Sequence, residues 1–367
     1  MNLTPTEKKI YDIIQHNPLL SVEEIAGRVG ISRASASVHL SNLSKKGWLL
    51  GRGFIVKESQ NVVVVGGANI DYKHQLRAPS TLASSNPSRT YSSFGGVGRN
   101  IAQNLAQLAM GVDLLSVIGL DALGEQLLAK TRLAGVNTDH IKLSQAHTGS
   151  YSAILEPSGE LVIAVAAMDI FEELDPEYLR SKQHVLEHAS LIVLDSNIPE
   201  MALLTVVELA AQHDWRLIID PVSVAKASKL HKLLGYNLHT LTPNQDELAV
   251  LVNKPLNTDD DLLAACYQLH VQEVQHVWVR LGARGSLLSS QTGEHHWIPA
   301  IQSDVTDVTG AGDAALAGYI YGLLEGASLA DACLYGHAAA SLTLASTHTV
   351  NPELTPQRLT DLFATAR

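Results

Sequence analysis

Asp307-Val308-Thr309-Gly310-Ala311-Gly312-Asp313 runs without a break into the apolar stretch Ala314–Leu324. The apolar stretch predicts a buried helix, and the glycines fall in its first turn. Glycines there leave amide N–H groups unpaired and let a ligand approach the main chain, while the helix dipole adds positive potential. The segment therefore has the makings of an anion hole, formed by Gly310, Ala311 and Gly312. A carboxylate in the same turn repels an anion, so Asp313 is a poor choice for binding alone. It suits a base that takes the proton from a hydroxyl attacking a phosphoryl group beside it. The same residues also fit a plain glycine turn in which Asp313 only caps the helix.

Upstream, strand-like and helix-like segments alternate. Buried-strand patterns fall at Val62–Val65, Leu191–Leu194, Leu217–Ile219, Leu238–Leu241 and Val277–Leu281, and a helix is expected over Arg99–Met110, ending at Gly111. Such alternation predicts an α/β fold with a mostly parallel sheet covered on both faces by helices. Two stretches break the rhythm. Residues 72–93 are polar, and Tyr151–Ala167 reads as a hairpin about Pro157-Ser158-Gly159-Glu160. They are expected to form a small β lid, from about 72–93 and 148–168.

The first 58 residues follow another pattern. Thr4-Pro5-Thr6-Glu7 and Ser21-Val22-Glu23-Glu24 are capping boxes, and Ser32 is placed to cap a third helix after the Gly30-Ile31 turn. Gly47–Ile55 reads as two short strands about a glycine turn. The segment resembles a winged helix-turn-helix, whose third helix enters the major groove of duplex DNA. Residues 1–58 carry a formal charge of +3 and the remainder −14, so only the first unit could meet nucleic acid unaided. Its candidate contacts are Ser32, Arg33, Ser35, Ser37, Lys45, Lys46 and Arg52. Two domains are thus expected, 1–58 and 59–367.

The bulk composition narrows the class. Apolar residues make up 46% of the 367, yet no run approaches the ~20 residues of a membrane span, and the start lacks the apolar core of a secretion signal. Only Cys266 and Cys333 occur, which excludes a disulfide framework or a cysteine zinc site. A soluble, cytoplasmic protein is expected. No G-x-x-x-x-G-K-[ST] loop and no G-x-S-x-G elbow is present, and the sixteen histidines show no H-E-x-x-H spacing.

Four motifs together carry a family resemblance: Asp307–Asp313, Gly95-Gly96-Val97-Gly98-Arg99-Asn100, Thr242-Pro243-Asn244-Gln245-Asp246-Glu247 and Leu281-Gly282-Ala283-Arg284-Gly285. In order and spacing they resemble the ribokinase-like (PfkB) kinases over roughly residues 61–355. The resemblance implies ATP and Mg²⁺ as cofactors and Asp313 as catalytic base over the 310–312 anion hole. It implies Asn244, Arg280, Leu281, Gly282, Gly285, Gly312 and His337 about the nucleotide, and Glu247 toward magnesium through water. Asp307 and Thr309 match positions of a monovalent-cation site, with K⁺ the expected ion. Asn69, Asp71, Gly95, Gly96 and Asn100 match the grip on the acceptor's sugar hydroxyls, and Asp195 and Asn197 are candidate contacts for its base or ribose.

Ribokinase itself would have Lys at 97 and Ala at 99, so Val97 and Arg99 argue against plain ribose. Gly66–Asp71, Ser85-Asn86-Pro87, Gly95–Ala106, Asp220-Pro221-Val222-Ser223 and Asn351-Pro352 are instead similar to the bacterial pseudouridine kinases of the family. That implies a nucleoside acceptor phosphorylated at its 5′-hydroxyl. A kinase for another nucleoside or a ribose-type sugar is the alternative. A nucleoside-sensing regulator is a further one, although it predicts a damaged catalytic motif where this one is intact. A homodimer is expected, since pairing of the larger domains would supply two DNA-reading units.

Overall fold

The run Asn61–Val65 lies inside a nine-stranded sheet, and its alternation shows why the sheet is covered twice. Val63 and Val65 enter one hydrophobic core, Val62 and Val64 the other, and all four are fully buried. A strand that buries both faces reads as a continuous apolar run rather than an alternating one. The computed structural model describes residues 3–17, 20–49 and 60–367, and the chain divides into two compact units, Met1–Ser59 and Gln60–Arg367.

In the larger unit the strands are β1 (Asn61–Val65), β2 (Asn69–Leu76), β3 (Ser88–Gly95), β4 (Gly111–Gly119), β5 (Ile141–Ser144), β6 (Ser150–Leu155) and β7 (Leu161–Ala167). There follow β8 (Leu191–Asp195), β9 (Leu217–Asp220), β10 (Leu238–Leu241), β11 (Val274–Arg280), β12 (Ser286–Ser290) and β13 (His295–Ile298). The main sheet has the order β13-β12-β11-β10-β9-β8-β1-β4-β5. It is parallel from β11 to β5, and β12 and β13 add antiparallel at one edge. From β1 the chain builds to one side through β4 and β5, and later to the other through β8 and beyond. Crevices at the carboxyl ends of strands beside such a reversal are where open α/β sheets place ligands.

The two rhythm-breaking stretches form a separate four-stranded sheet, β3-β2-β6-β7. The helix expected over Arg99–Met110 runs over Val97–Gln107 instead. It ends early because Ala109 takes a left-handed conformation (φ 60°) and the Met110 amide bonds back to Leu105, so the turn is closed before Gly111 begins β4. Among the described residues no helix is long and apolar enough to cross a membrane.

In the smaller unit, helices Pro5–His16, Val22–Val29 and Arg33–Lys45 pack around Ile10, Ile14, Ile25, Leu40 and Leu43. Both capping boxes form, and Ser32 accepts from the Ser35 amide at 3.2 Å. The second strand of the expected wing, with Arg52, lies outside the described residues.

Candidate active site

The first wall of the crevice is the loop after β1. Its glycines lie against Asp195 at the end of β8. Asp195 is fully buried, and its carboxylate accepts from the amides of Gly67 (2.8 Å), Gly98 (2.6 Å) and Asn197 (2.8 Å). Burial raises its pKa, and these bonds and Lys226 oppose the rise. The expectation for Asp195 was a contact to the acceptor; the structure shows it bonded to the main chain. Its oxygens are committed to the main chain, and it acts as the pin that gathers two glycine loops. Asn197 likewise turns its side-chain oxygen to the Lys226 ammonium.

Asn69 and Asp71 stand on β2. The Asn69 amide donates to Asp71 Oδ1 at 2.6 Å, and Asp71 faces Gly95 closely enough that any side chain there would collide with its carboxylate. Desolvation raises the Asp71 pKa, while the Asn69 bond and the charges of Arg99 and Lys73 hold it down. Gly96 opens the helix Val97–Gln107 with φ 95°, and a Cβ on it would come within 2.4 Å of the Gly67 carbonyl oxygen. Only glycine fits there without a shift of the main chain.

The second wall comes from the other half of the sheet. Asn244 and Glu247 form a capping box at the end of β10, with mutual bonds of 2.8 and 2.9 Å. Arg280 ends β11 beside them. Its Nη2 lies 3.1 Å from Asp220 Oδ2 and 3.8 Å from Glu247 Oε2. The Nε of Arg280 is buried without a hydrogen-bond partner, and its Nη1 approaches Gly312 so closely that a Cβ there would sit 2.9 Å away. Burial raises the pKa of Glu247. Leu281, Gly282 and Gly285 form the tight turn that follows, closed by the Leu281 amide on the Gly285 carbonyl at 2.8 Å. His337 is held by the Pro299 carbonyl at 2.9 Å and lies over Trp278, and burial lowers its pKa against the opposing bond to Pro299.

The deciding segment joins the two walls. Gly310 caps the helix Ala311–Leu324 in a left-handed conformation (φ 81°) with no side-chain cap, and a Cβ there would meet the Thr349 carbonyl oxygen at 1.9 Å. Asp307 folds back to accept from the Thr309 amide (2.8 Å) and hydroxyl (2.6 Å), and the Lys73 ammonium of β2 reaches it at 3.2 Å. Asp313 Oδ2 accepts from Asn100 Nδ2 at 2.9 Å. Asp313 keeps some surface in the cleft but is otherwise ringed by protein. Desolvation pushes its pKa up to about 8, opposed by Asn100 and Arg280 and assisted by Asp220 and Asp195.

Between this floor and the lid lies a cavity of about 640 Å³, walled by Asp71, Lys73, Tyr91, Phe94, Arg99 and Tyr151 among others. Sequence reasoning missed the lid aromatics, Lys73, and Asp220 as the partner of Arg280. Strand alternation could have found the first two, because β2 and β6 place Asp71, Lys73, Tyr151 and Ala153 on one face. It also missed Val222, a β-branched residue at φ 66° beside Asp220, whose Oδ1 accepts from its amide at 2.7 Å.

In the smaller unit the candidate DNA contacts divide. Arg33, Ser37 and Lys45 are exposed on the third helix, as is Val38, 59% exposed. Ser32 is spent on the cap, and Arg33 pairs with Glu23 at 2.7 Å. Lys46 is engaged within the unit: its ammonium is 2.7 Å from the buried Glu7, whose pKa falls to about 2 chiefly through that bond. It ties the third helix to the first.

Residues 59–356 match the pfkB family of carbohydrate kinases, and residues 3–49 match the winged helix-turn-helix DNA-binding family. The uncharacterized sugar kinase YeiI of Escherichia coli is 37% identical over 349 residues, which cover 95% of this chain and 96% of that one. The Escherichia coli pseudouridine kinase is 33% identical over 312 residues, 85% of this chain and 99% of that one. Among solved structures, a carbohydrate kinase from Agrobacterium tumefaciens superposes with a TM-score of 0.72 at 30% identity, covering 84% of this chain and 98% of that one. Ribokinase of Arabidopsis thaliana, complexed with ribose and ATP, has a TM-score of 0.74 at 23% identity, with 83% and 99% covered.

Proposed function

The chain belongs to the pfkB family of carbohydrate kinases, and we propose that it transfers the γ-phosphoryl group of ATP to the 5′-hydroxyl of pseudouridine. The observation that carries the transfer is the 2.9 Å bond between Asn100 and Asp313, because it joins the acceptor wall to the anion hole at one carboxylate. The choice of acceptor is supported by the likeness to the Escherichia coli pseudouridine kinase over nearly its whole length and by Val97 and Arg99.

Asp313 takes the acceptor proton. The turn Gly310–Gly312 and the guanidinium of Arg280 make the anionic side, where the partnerless Arg280 Nε and the uncapped helix turn fit a phosphate. ATP with Mg²⁺, when bound, supplies the phosphoryl group and the neutralisation of charge that its transfer needs. Among the described residues no three histidine, cysteine or carboxylate side chains converge on one point. Magnesium would be held mainly by phosphate and water, which Asn244 and Glu247 would orient. Leu281, Gly282, Gly285 and His337 would line the nucleotide, and Asp307 and Thr309 would offer their oxygens to a monovalent cation, K⁺, in competition with Lys73. Asn69, Asp71, Gly95, Gly96 and Asn100 grip the ribose hydroxyls, and the sheet β3-β2-β6-β7 closes over them as a lid. ATP chemistry and two free cysteines fit the cytoplasm.

The N-terminal unit binds duplex DNA through Arg33, Ser35, Ser37 and Lys45, with Val38 offering apolar contact to a thymine methyl. Two copies pair to present two such units. The exposed stripe Leu161, Ile163 and Val165 on β7, an edge strand of the lid, supports that pairing.

The test is coupled ADP release from purified protein with pseudouridine, uridine, ribose and 2-deoxyribose, with magnesium and potassium present. Pseudouridine is expected to give the highest kcat/KM. A tenfold advantage for ribose or uridine overturns the acceptor assignment and leaves the kinase intact.

A further inference from the structure

Arg99 is one of the least expected residues of the site. It is only 4% exposed, and among the described residues no carboxylate forms an ion pair with it. Its donors all go to neutral oxygens. Nε bonds Thr131 Oγ1 at 3.1 Å, Nη1 bonds the Phe94 carbonyl at 2.9 Å and Asn100 Oδ1 at 3.2 Å, and Nη2 bonds Gln103 Oε1. Thr131 is itself fixed, donating to the Leu127 carbonyl at 2.7 Å. A buried cation without a counter-charge is costly, and desolvation lowers the Arg99 pKa to about 10, with only the nearby charge of Asp71 acting the other way.

A guanidinium can donate and cannot accept. Whatever side-chain amide meets it must turn its oxygen inward. Arg99 meets Asn100 in this way, so the Asn100 NH₂ is left facing Asp313, where it donates to Oδ2 at 2.9 Å. With Asp313 ionised, a flipped Asn100 would present its oxygen to a carboxylate and its NH₂ to a guanidinium, two repulsive contacts at once. Among the described residues no side chain donates to the other Asp313 oxygen, which leaves it for an acceptor hydroxyl.

We propose that Arg99 is a positioning residue, which fixes the orientation of the Asn100 amide so that Asp313 is held in its proton-accepting form with one oxygen free for the acceptor. The proposal rests on Asp313 as the group that takes the acceptor's proton. Charge contributes as well as geometry, because Arg99 also favours the ionised form of Asp71 on the neighbouring strand.

The experiment compares Arg99→Met and Arg99→Lys with the parent. The Asp313 carboxyl carbon is titrated by ¹³C NMR, assigned with Asp313→Asn, and the pH dependence of kcat/KM is recorded with the acceptor that the parent turns over best. In R99M the Asp313 midpoint should rise by at least half a pH unit, and kcat should fall ten- to a hundredfold, with KM for ATP within twofold of the parent. R99K keeps a charge and donors, and should return the midpoint to within about 0.3 of the parent value. A parental midpoint in R99M overturns the proposal. So does an equal displacement in both variants, which would mean that only packing was lost. Should R99M fail to fold, Arg99→Gln takes its place under the same two criteria, since its amide can present an oxygen to Asn100 and free it to flip. The NMR titration needs no acceptor, so a wrong choice of nucleoside leaves the test standing.

Discussion

Asp313→Asn should inactivate this enzyme and stabilise its fold at the same time. The side chain keeps its shape and its contact to Asn100 but can no longer take a proton, and loss of a general base costs ~10²–10⁴ in rate. The stability effect follows from the same environment. The native site raises the Asp313 pKa from 3.8 to about 8, so the folded protein holds a proton there that the unfolded chain has released. Folding is then most favourable below pH 3.8 and loses stability as pH rises toward 8, with no further change above. At ~1.4 kcal/mol per decade of proton affinity, the full displacement corresponds to ~5–6 kcal/mol. Water reaches Asp313 through the cleft, and effective screening there reduces this to ~2 kcal/mol. The asparagine variant escapes that cost. At pH 9 its larger unit should melt about 3–5 °C above the parent, and near pH 4 the two should coincide. Thermal unfolding across pH 4–9, with kcat at each pH, reads both effects. The parent's kcat/KM should climb through neutrality and level near pH 8. A variant that keeps more than a third of the parent kcat refutes the base role. Identical melting curves at pH 9 refute the desolvated carboxylate.

Asp195→Ala should leave three buried amides without an acceptor, at ~1–3 kcal/mol each. Urea unfolding should show a loss of several kcal/mol, and a loss below ~1 kcal/mol would mean the glycine loops hold themselves. Lys73→Met removes the lid's ammonium from Asp307, so the K⁺ concentration giving half-maximal activity should fall severalfold; an unchanged K⁺ titration removes Lys73 from that site. Arg33→Ala should weaken specific DNA binding by ~1–3 kcal/mol if Arg33 reads a guanine. The readout is a mobility-shift titration with upstream DNA at two salt concentrations. A protein starting at Gln60 that shifts the same DNA equally would end the DNA-binding role of the first unit. Lys46→Ala should instead act on the fold, lowering the melting temperature of that unit by freeing the buried Glu7, with little change in salt slope.

Much of this was legible in residue order alone, because the decisive elements are local. A glycine turn entering an apolar helix, and boxes such as Asn244–Glu247, are set by residues three or four apart, and both capping boxes of the first unit formed as spaced. The strand run Val62–Val65 was equally plain, since burial on both faces leaves no polar residue to blur it. The helix Val97–Gln107 was overrun by three residues, because nothing in the alanine code announces that Ala109 will adopt a left-handed conformation. The alternation gave no sign of how β12 and β13 would pair. They join the sheet edge antiparallel, outside the βα rhythm.

What sequence order could not supply is how committed a polar side chain already is. Asp195, Asn197 and Lys46 all carried the right chemistry for a ligand, and each is engaged by the protein itself. Asp195 alone satisfies amides from residues 67, 98 and 197, two of them far away in the sequence. Arg99 shows the converse. In the sequence it was a departure at one place of a glycine motif, a mark against one substrate. In the fold it is a buried donor with no ion-pair partner among the described residues, aimed at the amide that touches the Asp313 carboxylate. Both cases have one source. A hydrogen-bonding group becomes functional through what is left of its capacity after its neighbours have been satisfied, and that remainder is a property of long-range packing. For Asp313 the remainder is a single carboxylate oxygen, facing the cleft.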